Sequence, residues 1–240
     1  KIQAASTWEL SALPYIPVLR LTAQHAANLR RFGLSGVMLG WTLGGYPSPN
    51  LEVVREVFAG TDVGQAMASV AEARFGERAA GQVVEAWNLM SDGFTEFPFH
   101  GAVVYNAPLH AGPSNLLWAK PTGYRATMVG IPYDDLSAWR SVYPPDVFVR
   151  QMRSVADAFV AGAGLLRAAL SEADPEHVQA VQGEMRIARA AGAHFRSVAA
   201  QAEYVALRDS LMGSDWPTDD RVKRMHALIA EEIETAKELY

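Results

Sequence analysis

The 240-residue sequence contains no cysteine. Disulfides, thiolate metal sites, iron–sulfur clusters and cysteine nucleophiles are therefore excluded, while the compartment is left open. A basic stripe is missing as well. The 21 Lys and Arg are interspersed with 26 Asp and Glu for a formal net charge of −5. Nothing gathers the positive charge that a phosphate backbone requires, so nucleic acid is not expected as a partner. No uninterrupted apolar run reaches the roughly 20 residues of a bilayer-spanning helix, and the first residues lack a cationic stretch followed by an apolar core and a cleavage site; no membrane partner is expected. The six histidines are scattered without the three- or four-residue spacing of a helical metal site, so no metal is expected. Gly40 to Gly45 has neither the spacing nor the following helix start of a dinucleotide fingerprint, and there is no phosphate-loop Lys and no Gly-x-Ser-x-Gly elbow, so no other cofactor is expected either. Internal repeats and low-complexity stretches are also absent.

Half the residues are hydrophobic and a fifth are charged, the balance of a globular chain with a substantial core, in one large domain or two small ones. The chain begins at Lys1 without Met, directly in a strand-like segment, and stops at Leu239-Tyr240 inside a helical pattern. The expectation is the carboxy-terminal part of a larger protein, with its upstream part as a partner. Lys1 to Thr7 reads as a short strand, followed by a proline-bearing loop, a half-exposed helix over Leu19 to Phe32 closed by Gly33, and a buried strand over Gly36 to Trp41. Strand, helix and strand make a β/α unit, the repeat of a parallel barrel. The expected fold is thus mainly α with a small α/β part: residues 1–50 form the last β/α units of a TIM-like barrel and residues 51–240 a helical bundle domain.

Within the helical part, Asn50 is the expected cap of a helix over Leu51 to Phe58, and Asp62 of one over Val63 to Phe75; Gly76 then separates it from another over Glu77 to Phe94. Pro98 to Pro145 has little periodicity and is dense in Pro, Gly and aromatic residues, the composition of a long irregular segment, which is usually functional when ordered. Three long helices follow, from Asp146 to about Leu170, from Asp174-Pro175 to Leu211, and after Thr218, consistent with an antiparallel bundle. Their apolar rows, including His194 and Phe195, are core or, alternatively, a groove for a partner or a second copy in a homo-oligomer.

Trp8-Glu9 at one expected strand end and Trp41 with Gly44-Gly45-Tyr46 at the next would meet around one pocket, because barrel active sites sit at the carboxyl ends of the strands. Glu9 is then a catalytic acid, base or nucleophile, or a carboxylate that holds the rim. The run from Ser6-Thr7-Trp8-Glu9 to Gly40-Trp41-Thr42-Leu43-Gly44-Gly45-Tyr46-Pro47 resembles the end of the catalytic barrel in glycoside hydrolases with a helical carboxy-terminal domain, in the alpha-glucuronidase and hexosaminidase style of layout. The resemblance implies that Glu9 corresponds to the strand-seven nucleophile of retaining barrel glycosidases. Glycoside hydrolysis needs two carboxylates. The second would lie upstream of this chain or be Asp134 or Asp135, so the chain alone is expected to be inert. In the irregular segment, His110, Trp118, Tyr124, Asp134 and Asp135 combine flat faces with donors and acceptors, as a carbohydrate substrate requires; like Trp8, Trp41 and Tyr46, they are candidate sugar contacts, or else they fill a joint. The functional expectation is a portion of a carbohydrate-active enzyme that hydrolyses glycosidic bonds, or alternatively a non-catalytic helical carbohydrate-binding or oligomerisation module.

Overall fold

The computed structural model describes residues 9–34, 36–39, 46–212 and 219–239. Within them the regular structure is helical: α1 (Leu19–Arg31), α2 (Pro49–Ala59), α3 (Val63–Phe75), α4 (Glu77–Phe94), α5 (Gly101–Asn106), α6 (Leu136–Arg140), α7 (Pro145–Glu172), α8 (Val178–Met212) and α9 (Asp219–Leu239), with a 3-10 turn at Gly112–Ser114. No strand occurs among the described residues. The expected α/β part and TIM-like barrel are therefore corrected to an all-helical arrangement. Val37 and Leu39, read from sequence as interior to a buried strand, are only half-buried, and Met38 is 66% exposed. A short apolar run becomes a strand only where a neighbouring strand takes its backbone hydrogen bonds, and none occurs among the described residues. The expected strand over Lys1 to Thr7, Trp8, and the segment Gly40 to Gly45 with Trp41 lie outside the described residues, as do Gly213 and Thr218.

The chain divides into two compact units, Lys1–Thr95 with Asp157–Gly192, and Glu96–Ala156 with Ala193–Tyr240. In the first, α1 to α4 pack on one another and bury Leu19, Val53, Val70, Val83 and Trp87, together with Phe159 and Leu166 of α7. The Phe75 ring meets Trp87 edge-on at 5.7 Å, and Phe94 meets Phe159 at 6.4 Å, geometries that the aromatic quadrupole favours. Asp62 caps α3, accepting from Gly64 N at 3.0 Å and Gln65 N at 3.1 Å, a contribution of about 1 kcal/mol. The expected cap of α2 shifts by two residues: Ser48 accepts from Leu51 N at 3.3 Å, while Asn50 lies inside the first turn and donates to Ile16 O at 2.8 Å. Pro49 explains the shift, since its fixed φ suits the first helical position. Similarly, α8 begins at Val178 after a turn in which His177 N donates to Asp174 O at 2.8 Å, and the Asp174 carboxylate pairs with Arg78 at 2.9 Å.

In the second unit, Val103, Leu109, Trp139, Phe148, Phe195 and Val198 form the core. Arg153 of α7 reaches Glu203 of α8 at 2.8 Å and Glu231 of α9 at 2.9 Å, and Arg224 of α9 grips Glu203 through two donors at 2.5 and 2.7 Å. A shared, partly buried network of this kind orders side chains that isolated surface pairs would leave free. By length and composition α7 could cross a membrane, a test that the core helix of a folded domain passes too. Asp157 and Arg167 break its apolar run in sequence, and Phe148, Met152, Val155, Phe159 and Leu166 are fully buried.

Candidate functional site

The irregular stretch between α5 and α7 has a defined shape because its polar groups are tied to a few buried side chains. Asn115 donates to Tyr133 O and to Gln201 Oε1, both at 2.7 Å. Thr122 donates to the Asp134 carboxylate through its backbone N at 3.1 Å and through its hydroxyl. Asp135 caps α6 through Ala138 N at 3.3 Å and also accepts from Ala126 N at 3.0 Å and Ser137 Oγ at 2.9 Å. Trp139 Nε1 donates to Pro132 O at 2.9 Å.

The centre of this arrangement is Arg208 of α8. Its guanidinium donates to Asp134 at 2.6 Å, to Asp209 at 2.9 Å and to Trp118 O at 3.0 Å, and both Arg208 and Asp134 side chains are only 4% exposed. Burial by itself would push the Asp134 carboxyl up, but the Thr122 hydrogen bonds and the Arg208 charge outweigh it and hold the group below its ordinary value. Asp134 is thus an anion at neutral pH, consumed by its neighbours.

Above the pair lies an open hollow of about 250 Å³, walled by Tyr124, Arg125, Asp135 and Ser137, with Arg208 and Asp134 at its base. The Tyr124 ring is 64% exposed yet rests on the Tyr133 ring at 4.9 Å, which holds it in place. Tyr133 itself has φ +51°, a left-handed conformation rare for an aromatic residue and costing about 1–3 kcal/mol. The bond from Asn115 to its carbonyl and the flanking Pro132 and Asp134 anchors maintain it.

The structure brings Tyr124, Asp134 and Asp135 of the expected sugar contacts into this one hollow. Trp118 adjoins it through the carbonyl that Arg208 holds. His110 lines a separate hollow of about 270 Å³ with Tyr105, Asn106 and Pro132. Tyr46 belongs to the first unit, stacked on Tyr15 with centroids 5.9 Å apart, at the edge of a pocket of about 360 Å³. Glu9 is 5% exposed in a turn ahead of α1, not at a strand end, and its Oε2 is buried without a hydrogen-bond partner among the described residues. Its expected neighbours Trp8 and Trp41 are outside the described residues. Among those residues no group of three or more His, Asp or Glu side chains gathers to hold a metal ion.

No known family model, curated protein or solved structure matches this chain. With no strand among the described residues and no family match, the resemblance to barrel glycoside hydrolases is withdrawn, and with it the barrel-derived role of Glu9.

Sequence reasoning missed Arg208, Glu184 and Glu232. A signal was present in each case. Arg208 continues the row of Gln201 and Val205 on α8, Glu184 lies on the row of Val181, Ala188 and Phe195, and Glu232 follows Leu228 on α9. A charged residue at helical spacing within a buried row marks a place where the core is polar.

Proposed function

We propose that this chain is a non-catalytic helical module that binds carbohydrate through the hollow at Tyr124. The observation that carries the reading is an exposed aromatic face, immobilised on Tyr133, beside a base made rigid by the buried Arg208–Asp134 pair. A sugar presents an apolar C–H face and a rim of hydroxyls, and needs a flat ring together with polar groups whose positions are fixed in advance. Tyr124 is the ring. Arg125, with its side chain 81% exposed, Ser137 and the half-exposed Asp209 offer donors and acceptors at the wall. Asp134 and Asp135 act as anchors in this scheme: their oxygens already accept backbone and side-chain bonds, and they hold the segment in the shape that presents Tyr124.

The test is isothermal titration of the chain with a panel of soluble oligosaccharides of neutral hexoses, pentoses and N-acetylated sugars, repeated with Tyr124→Ala. Binding by the wild type, weakened about tenfold in the variant, is the expected result for loss of one stacking ring. A wild type that binds no member of the panel, or a variant that binds as well as the wild type, overturns the reading.

A further inference from the structure

The pocket of the first unit is separate from the Tyr124 hollow and is built differently. The loop ahead of α1 supplies Pro14 and Tyr15, the residue preceding α2's cap region supplies Tyr46, the end of α3 supplies Arg74 and Phe75, and the first turns of α8 supply Glu184, Arg186 and Ile187. Its volume of about 360 Å³ suits a small molecule. Two parallel-leaning tyrosine rings, 28° apart, with Phe75 and Ile187 give it apolar walls, and Tyr46 is 51% exposed, leaving a ring face open.

Its ionisable acid and base side chains are one interior acid, Glu184, and two cations, Arg74 and Arg186. Glu184 is 3% exposed, accepts from Trp87 Nε1 at 2.7 Å and from the Tyr15 hydroxyl, and faces no guanidinium or ammonium within ion-pair distance among the described residues. Burial pushes its carboxyl above the ordinary value, against the lowering effect of the Tyr15 and Trp87 bonds and the Arg74 charge. The acid therefore tends toward its uncharged form. Arg74 is fixed by a bond to Pro47 O at 2.8 Å, with Glu52 further away at 3.7 Å. Arg186 is exposed and, among the described residues, bonded only to Gln182 of its own helix at 3.4 Å. The pocket thus combines an aromatic face with the exposed Arg186 guanidinium, which has no carboxylate partner among the described residues, the donor set that pairs with a carboxylate through two parallel bonds.

We propose that this pocket binds a small planar ring bearing one carboxylate, the ring against the open face of Tyr46, which is backed by the buried Tyr15, and the carboxylate on Arg186 and Arg74. The inference does not depend on the carbohydrate reading, because the two sites share no residue. Glu184 holds the Tyr15 ring in place from behind by accepting a hydrogen bond from its hydroxyl, so it is a positioning residue here.

The experiment is isothermal titration of the full chain with benzoate, and with benzamide as its neutral isostere, on the wild type, Arg186→Gln and Tyr124→Ala. The expected result is benzoate binding at least about tenfold tighter than benzamide, in line with the strength of charge-assisted bonds. Arg186→Gln should erase that preference, whereas Tyr124→Ala should leave it intact. Arg186 is exposed, so its substitution leaves the core undisturbed. Absence of benzoate binding at millimolar concentration, equal binding of benzoate and benzamide, or an undiminished preference in Arg186→Gln overturns the proposal. Loss of benzoate binding in Tyr124→Ala also overturns it, because the ligand would then occupy the other site.

Discussion

Replacing Arg208 by Met removes one guanidinium from a nearly buried position at the base of the Tyr124 hollow. Both members of the Arg208–Asp134 pair have side chains 4% exposed and lie 2.6 Å apart. Met fills much of the volume but leaves Asp134 with the Thr122 bonds alone and Trp118 O without its donor. Breaking a buried pair from one side costs roughly 3–5 kcal/mol, because a charge stays behind uncompensated. That corresponds to a fall in melting temperature on the order of 10 °C for a domain of this size. Without the cation, burial dominates at Asp134 and its carboxyl moves up, so the variant should recover part of the loss as pH is lowered. The assay is urea unfolding of wild type, Arg208→Met, Asp134→Leu and the double variant, followed by circular dichroism. The double variant should be more stable than the sum of the single losses allows, since it removes both charges. If Arg208→Met costs less than about 1 kcal/mol, the value of an exposed pair, the pair is solvated and the rigid base inferred for the Tyr124 hollow does not exist.

Gly112 has φ +53°, and a Cβ there would lie 2.7 Å from His194 Nδ1, which donates to Leu109 O at 3.0 Å and so cannot swing aside. Gly112→Ala should cost about 2 kcal/mol or more from strain and overlap together, and less in a His194→Ala background, as measured by a denaturation cycle; equal costs in both backgrounds would remove the steric explanation. Glu232 is a buried carboxyl whose Oε1 accepts from Ser197 and from Gln201 at 3.2 Å, while its Oε2 has no partner among the described residues; burial raises it from 4.5 to about 7 against those bonds. A raised carboxyl binds its proton more tightly in the folded state, so its stabilisation is present below 4.5 and is lost as pH rises toward about 7. Subtracting the stability profile of Glu232→Gln from that of the wild type should therefore give a curve that falls across that window; a flat difference would place Glu232 in water.

The helices were readable from the chain because their signals are local. Asp62 caps α3, Gly76 separates α3 from α4 with φ +81°, and the apolar spacing of Phe148, Met152, Val155 and Phe159 runs along α7, each within a turn or two of its cause. Tyr124, Asp134 and Asp135 stood out because an irregular stretch rich in aromatic and polar residues has few other ways to be ordered. Strand formation is not local in that sense. Gly36 to Leu39 had the composition of a buried strand, but composition cannot supply the neighbour whose ladder the run would join. The same limit hid the polar interior: Arg208 meets Asp134 across 74 residues, and Tyr15 meets Glu184 across 169. Helical periodicity specified the face that Arg208 and Glu184 occupy on α8. Only the tertiary fold determined what that face would meet, because the free energy of a buried charge depends on the partner brought to it through space.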